Sequence, residues 1–128
     1  MPINLKLIDK KLTDPELFNN TAKQEAQKVA AGGDRVNKPT QLRRFYDEVV
    51  MWENKTTLHP DKFAEYLPFI RMINAKVAYA QGRKLVDERF VGMMNECLKQ
   101  VECAETLRTF KLFMEAFMGF YKQERPKD

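Results

Sequence analysis

The stretch FKLFMEAFMGFY, Phe110 to Tyr121, is apolar except at Lys111, Glu115 and Gly119. These three residues are four positions apart, which places them in one narrow stripe along an α-helix and does not fit the alternation of a β-strand. A helix with so little polar surface needs neighbours around most of its circumference. Two explanations fit: a central helix wrapped by the rest of the chain, or a helix at residues 107–121 that also contacts another chain.

The remainder of the chain shows the same period. Four further segments repeat apolar residues at spacings of three and four, and no alternating segment is long enough to build a sheet. The chain has 128 residues, of which 44% are apolar, and this suits one domain with a single core. The sequence therefore predicts an all-α fold, a compact bundle of about five helices in one domain over residues 1–128.

The first 34 residues are expected to lie outside a core bundle formed by residues 35–125. Ile3, Leu5 and Leu7 alternate without an evident partner strand, so an extended arm is predicted there. A first helix is predicted at about residues 15–31, between the Asp14-Pro15 start signal and the glycine pair at positions 32 and 33. Its apolar stripe is thin, which predicts loose docking, and consists of Phe18, Ala22, Ala26 and Val29.

The second helix is expected to begin with Thr40 as its cap. Its apolar face repeats at helical spacing and consists of Leu42, Phe45, Tyr46, Val49 and Val50. Arg43 and Arg44 lie on the opposite side, and each precedes an acid by four residues. The two arginines are expected either to form exposed ion pairs with Asp47 and Glu48 or to hold a phosphate group.

Residues 53–61 are predicted as a loop, and Pro68 is expected to restart a third helix that runs to residue 84. Its core face consists of Tyr66, Ile70, Ile73, Val77 and Ala80. Residues 68–84 contain no acid but four cations, namely Arg71, Lys76, Arg83 and Lys84. Tyr79 lies among them and either covers the edge of the core or stacks on a base. A local excess of positive charge attracts polyanions.

The sequence does not support a catalytic or metal centre. One histidine, His59, cannot supply the two Glu-x-x-His pairs of a di-iron bundle. Cys97 and Cys103, in and just after a fourth helix predicted at about residues 86–101, have no second cysteine pair to form a zinc site or a disulfide framework. Neither a phosphate-binding glycine loop nor a nucleophile elbow is present. We therefore expect a protein that is not an enzyme and that uses no metal or cofactor.

The sequence also gives an expectation for the cellular location of the protein. No apolar stretch is long enough for a membrane span, and no positively charged start leads into an apolar block as in a signal peptide. The default expectation is a cytoplasmic protein with no membrane partner.

Two blocks of this sequence resemble the small α-helical subunit of the type III-A CRISPR effector, the Csm interference complex. The blocks are KPTQLRRFYDEV, Lys38 to Val49, and LPFIRMINAKVAYAQGRK, Leu67 to Lys84. With the apolar last helix, the resemblance spans about residues 35–121. It implies a non-catalytic subunit whose copies stack along the complex, beside the backbone subunits and below the large polymerase-like subunit. We also expect self-association through residues 107–121, because that helix is apolar on most sides.

The resemblance implies CRISPR RNA and target RNA as ligands. Base pairing would recognise the sequence, while the protein contacts sugar and phosphate. The implied RNA-facing residues are Lys38, Arg43, Arg44, Arg71, Lys76, Tyr79, Arg83 and Lys84. The alternative is a helical protein-protein adaptor that binds no nucleic acid, although such an adaptor has no need for the acid-free basic segment. A helix-turn-helix regulator fits less well, because no tight turn leads into a recognition helix.

Overall fold

The computed structural model describes residues 3–127, and its secondary structure is almost entirely helical. Two short strands and two irregular turns accompany six α-helices. In chain order the elements are β1 (Leu7–Ile8), β2 (Lys11–Leu12), a π-helical turn (Leu17–Thr21), α1 (Ala22–Ala30), α2 (Pro39–Leu58), a 3-10 turn (Pro60–Lys62), α3 (Phe63–Arg71), α4 (Ile73–Gly82), α5 (Glu88–Leu98) and α6 (Ala104–Glu124). Helices α3 and α4 together are the predicted third helix, so the all-α bundle of about five helices is confirmed.

The last helix, α6, is the centre of the bundle and packs against α1 and α2. Six of its large side chains are fully buried: Leu107, Phe110, Phe113, Met114, Phe117 and Tyr121. Within residues 3–127, no large apolar side chain of α6 is exposed. The central position is therefore confirmed. Ala116, Met118 and Phe120 are only partly buried, and self-association through residues 107–121 stays a prediction.

The N-terminal segment belongs to the core and is not a peripheral arm. Ile3 and Leu5 are buried, and the Gln100 side chain binds the carbonyl of Ile3 at 2.9 Å and the N–H of Leu5 at 2.8 Å. Strands β1 and β2 then form an antiparallel hairpin, which the prediction missed. The turn residues Asp9 and Lys10 have φ values of 51° and 66°. Two positive φ values are typical of a type I′ hairpin turn, but the usual glycine is absent, so the sequence signal was weak.

The first helix is also better packed than predicted. The Asp14 carboxylate accepts a hydrogen bond from the N–H of Glu16 at 2.9 Å, so the start signal is genuine, although α1 itself begins later. The inner face of α1 is fully buried at Ala22, Ala26 and Val29. Because alanine side chains are small, the backbone of α1 can approach α6 closely. The thin apolar stripe is thus a sign of close helix packing, and the loose docking that we expected is not observed.

Three predicted boundaries of the middle helices are wrong. Helix α2 continues to Leu58, so most of residues 53–61 is helical, and its cap position is Lys38 instead of Thr40. Pro68 lies inside α3, and the break between α3 and α4 falls at Met72.

Helix α5 is shorter than the predicted residues 86–101, and it begins after a side-chain cap. The Asp87 carboxylate accepts a hydrogen bond from the N–H of Arg89 at 3.1 Å, which fixes the first turn. The core face of the helix is fully buried and consists of Phe90, Met94, Cys97 and Leu98.

Asn37 is buried and connects four helix ends. Its side-chain amide donates to the Asp87 carboxylate at 2.8 Å and to the Val29 carbonyl at 3.2 Å, and its side-chain oxygen accepts from the Asp87 N–H at 3.0 Å. Its backbone N–H donates to the Leu85 carbonyl at 2.9 Å. Its own carbonyl accepts from the Tyr121 hydroxyl at 2.6 Å. All of its polar groups are therefore paired inside the protein, as buried polar groups must be.

The same region leaves no room for a side chain at position 32. A Cβ atom built on Gly32 would lie closer to the Asp87 carboxylate than van der Waals contact allows. We expect Gly32→Ala to destabilise the protein by about 1–3 kcal/mol, because the Asp87 side chain must move away from Asn37. Thermal unfolding followed by circular dichroism measures the effect.

The matched control for this substitution is Gly119→Ala. Gly119 is helical and exposed, and a Cβ atom there meets nothing within 4 Å. We expect this change to stabilise the protein by about 0.5–1 kcal/mol, because alanine favours a helix over glycine. Equal effects of the two substitutions would contradict the packing of Gly32 on Asp87.

The pH dependence of stability tests the Asp87 contacts. Burial raises the pKa of Asp87, but hydrogen bonds from Asn37 and Arg89 outweigh this effect, so the pKa lies below its usual value. The carboxylate therefore stabilises the fold above about pH 4, and this contribution is lost as the pH falls through the lowered pKa. We expect Asp87→Asn to lower the unfolding temperature at pH 7 and to have much less effect well below pH 4. A difference that stays constant with pH would contradict this account.

Candidate nucleic-acid interface

The eight predicted contact residues lie on or beside α2, α3 and α4. Helix α2 runs antiparallel to α3 and α4, as three contacts establish: Asn37 with Leu85, Glu48 with Lys76, and Trp52 with Phe69. Residues later in α2 therefore lie beside residues earlier in α4 and in α3. This register places Arg44 at the level of Tyr79, and Lys38 beside the segment that follows α4.

Arg83 and Lys84 follow the last turn of α4 and are exposed. Neither forms an ion pair within residues 3–127. The guanidinium of Arg83 lies 6.0 Å from the ring centre of Tyr79. The Tyr79 side chain is 68% exposed, so it does not cover the core. Its ring is open to a flat ligand, and both cations are available to an anion.

The backbone conformation of Lys84 is unusual. Its φ is 62°, in the left-handed region. The Leu85 N–H donates to the Ala80 carbonyl and the Lys84 N–H donates to the Gln81 carbonyl, both at 2.9 Å. This is the Schellman arrangement at a helix end, in which glycine usually occupies the left-handed position. A lysine there costs about 1–2 kcal/mol, and such departures from local preference concentrate at functional sites.

The two arginines of α2 differ in their surroundings. The Arg43 Nε atom lies 4.0 Å from the Asp47 carboxylate, as the spacing predicted. Glu48, the expected partner of Arg44, instead binds Lys76 at 2.8 Å. Arg44 is exposed and has no ion pair in the part of the chain that the structure describes. Arg44 is thus the arginine that is available to a phosphate.

Two of the predicted cations are already engaged. Arg71 donates to the Val101 carbonyl at 3.0 Å and so ties α3 to the link before α6. Lys76 pairs with Glu48, but its side chain is 50% exposed. A surface ion pair of this kind contributes about 0–1 kcal/mol, so Lys76 can exchange Glu48 for another anion at little cost.

Five of the eight predicted residues therefore gather on one surface. We call this surface the basic corner, and it consists of Lys38, Arg44, Tyr79, Arg83 and Lys84. Lys76 borders the basic corner. Arg43 faces the other side of α2, where it lines a cleft with Met118 and Tyr121, and Arg71 is used within the fold.

Sequence reasoning missed the residue that holds the basic corner together, Asn37. Its bond to Leu85 keeps Lys38 next to Lys84. Asparagine just before a helix start was the available signal, because asparagine tolerates the left-handed conformation that Asn37 adopts, with a φ of 56°.

Side chains that support metal or nucleophilic chemistry are scattered. Within residues 3–127, no group of three or more His, Cys, Asp and Glu side chains is close enough to hold a metal ion. Burial raises the pKa of the Cys97 thiol, which keeps it in the unreactive protonated form. None of the helices described has both the length and the apolar character to cross a membrane.

The left-handed position of Lys84 allows its charge to be removed without damage to the fold. We expect Lys84→Gly to stabilise the protein by about 0.5–1 kcal/mol, because glycine adopts this conformation without strain but loses more backbone entropy on folding than lysine. Lys84→Ala, which removes the same charge but keeps the strain, should leave the stability nearly unchanged. Urea unfolding of both variants measures the difference, and a loss of stability in Lys84→Gly would contradict the assigned motif.

The chain matches one family model. The family described as Csm2 Type III-A matches residues 13–127, which includes the first helix and nearly all of the chain. The chain therefore belongs to the Csm2 family, the small subunits of the type III-A Csm complex. No curated protein and no solved structure matches it.

Proposed function

We propose that this Csm2-family subunit binds the sugar-phosphate backbone of CRISPR RNA or target RNA through the basic corner, and that it does no chemistry itself. In this proposal it serves RNA-guided antiviral defence in the cytoplasm. Base pairing between guide and target selects the sequence, and the subunit holds the strand without reading it.

One observation supports the proposal most directly. Arg44, Arg83 and Lys84 are all exposed and lack an acidic partner within residues 3–127. Arginine can bind a phosphate with two parallel hydrogen bonds, and lysine supplies a mobile point charge. Tyr79 offers a ring beside them, and a cationic surface with an open aromatic ring suits a single strand.

Assembly would strengthen this binding. We propose that several copies stack along the complex, beside the backbone subunits and near the large polymerase-like subunit. Each copy then presents one basic corner to the same RNA, and the linked sites raise the overall affinity through effective concentration. A single isolated copy should therefore bind RNA weakly.

The alternative function is a helical protein-protein adaptor that binds no nucleic acid. The exposed apolar residues of α3 favour it, since Phe69 is 51% exposed and Met72 is 47% exposed. The adaptor offers no account, however, of a lysine in the left-handed position at the end of α4, beside Arg83.

Salt dependence of RNA binding separates the two functions. Fluorescence anisotropy with a labelled single-stranded RNA measures the affinity at several salt concentrations. About four phosphate contacts predict a log-log slope near −3. We expect Arg83→Ala/Lys84→Gly to weaken binding about tenfold at low salt and to reduce the slope by about 1.4, because two contacts are lost.

The control removes two positive charges elsewhere. Lys23→Ala/Arg108→Ala changes two exposed helical residues that are far from the basic corner in sequence. This variant should retain the affinity and the slope of the unaltered protein. Equal losses in both double variants, or a slope near zero for the unaltered protein, would contradict the proposed function and favour the adaptor.

A further inference from the structure

An aromatic cluster lies on the same side of the molecule as the basic corner, at the opposite end of the α3–α4 face. The Trp52 ring contacts Tyr66 with centroids 5.5 Å apart. The same ring stacks on Phe69, with centroids 6.0 Å apart and ring planes only 14° from parallel. The Lys55 ammonium group lies 5.5 Å from the centre of the Trp52 ring. A stack of rings therefore leads outward from the core and ends at Phe69.

The outermost ring of this stack is left open to solvent. Phe69 is 51% exposed, its neighbour Met72 is 47% exposed, and Met51 on α2 is 37% exposed. Exposed apolar area of this kind favours a binding partner, because its transfer from water stabilises a complex. Trp52 itself is held in place, since its indole N–H donates to the Glu48 carboxylate at 3.4 Å. The exposed Phe69 ring therefore packs against a Trp52 side chain whose position is fixed.

Cations border the cluster on α2 and α4, whereas on α3 the exposed Glu65 lies one turn before Phe69. Lys55, Lys76 and the unpaired Arg44 lie on the same side of α2 and α4. The acid between them, Glu48, is already occupied by Lys76 and by the Trp52 N–H. Its side chain is only 19% exposed, so it presents little negative charge to a ligand. From Phe69 toward α4, a partner with flat apolar rings joined by negative groups therefore complements the surface.

The cluster and the basic corner lie along one line. Phe69, Met72, Lys76, Tyr79 and Arg83 follow one another at spacings of three and four residues, and all are exposed. The rise of an α-helix gives about 21 Å from Phe69 to Arg83, and the break at Met72 falls within this length. A strand whose phosphates bind Arg83 and Lys84 can therefore extend along α4 to Phe69.

We propose that Phe69, supported by Trp52, is a stacking site for a base of the RNA strand that the basic corner binds. This inference rests on the proposed function, and it adds to the Tyr79 ring a second ring contact with the bases, at the far end of the exposed α3–α4 face. Stacking on an aromatic ring does not depend on the base identity, so the site binds any sequence. A single nucleotide that is unpaired and turned outward is the group that fits, because a base inside a duplex has no free face.

Two RNA-like probes of equal length distinguish base stacking from phosphate binding. One is a labelled oligouridine, and the other has the same sugar-phosphate chain without bases. Trp52 is the only tryptophan, so its fluorescence reports on the cluster. We expect oligouridine to quench this fluorescence and to bind about tenfold more tightly than the abasic chain. Both probes should show the same salt slope, since both carry the same phosphates.

Substitutions of Phe69 complete the test. Phe69→Leu keeps apolar bulk and removes the ring, so it should abolish the quenching of Trp52 and reduce the difference between the two probes to what the Tyr79 ring contributes. Phe69→Tyr keeps the ring and should preserve the difference. Phe69 is half exposed, so both variants should fold, and circular dichroism with thermal unfolding checks this.

The possible outcomes separate this inference from the proposed function. Equal affinity for both probes with a normal salt slope would overturn the stacking site and leave phosphate binding intact. Binding of neither probe, at any salt concentration, would overturn both. If Phe69→Leu instead weakens binding to purified subunits of the complex and has no effect on RNA, the exposed ring is a protein contact and the inference is wrong.

Discussion

The hydrogen bonds of Asn37 determine how the helices of this protein meet. A buried amide and its backbone groups must all find partners, because an unpaired polar group in the interior costs about 1–3 kcal/mol. Asn37 meets this requirement with Val29, Leu85, Asp87 and Tyr121. Those residues come from the end of α1, the turn after α4, the cap of α5 and the last turns of α6. One residue therefore fixes four helix ends, and the basic corner lies directly beside it.

Most of the fold could be predicted from the sequence, because the apolar residues that a helix buries recur at spacings of three and four. The stripe at Ile70, Ile73, Val77 and Ala80 is buried as the spacing indicated. Features that depend on partners distant in the sequence could not be predicted in this way. The hairpin at β1 and β2 forms without a glycine turn, and Ile3 and Leu5 are held by Gln100, almost a hundred residues away. Alanines in α1 were read as weak packing, whereas they permit close approach to α6.

The candidate site could likewise be predicted only in part. The exposed face of α4 followed directly from its helical period. Which cations are free of ion pairs could not be predicted from the spacing, because an ion pair between two helices forms in place of the expected pair within one helix. Glu48 was expected to pair with Arg44 one turn away on the same helix, but Lys76 from α4 takes its place. Arg71 remains exposed but donates a hydrogen bond to a carbonyl thirty residues further along the chain.

The bond between Tyr121 and Asn37 also has a consequence for synthesis. A chain emerging from the ribosome carries Lys38, Arg44, Arg83 and Lys84 long before Tyr121 is available. Since the Tyr121 hydroxyl closes the network that sets Lys38 against the end of α4, the nascent chain lacks a finished ligand surface. The surface that we propose to bind RNA is therefore assembled only after α6 has been made, although all of its cations precede α6 in the chain.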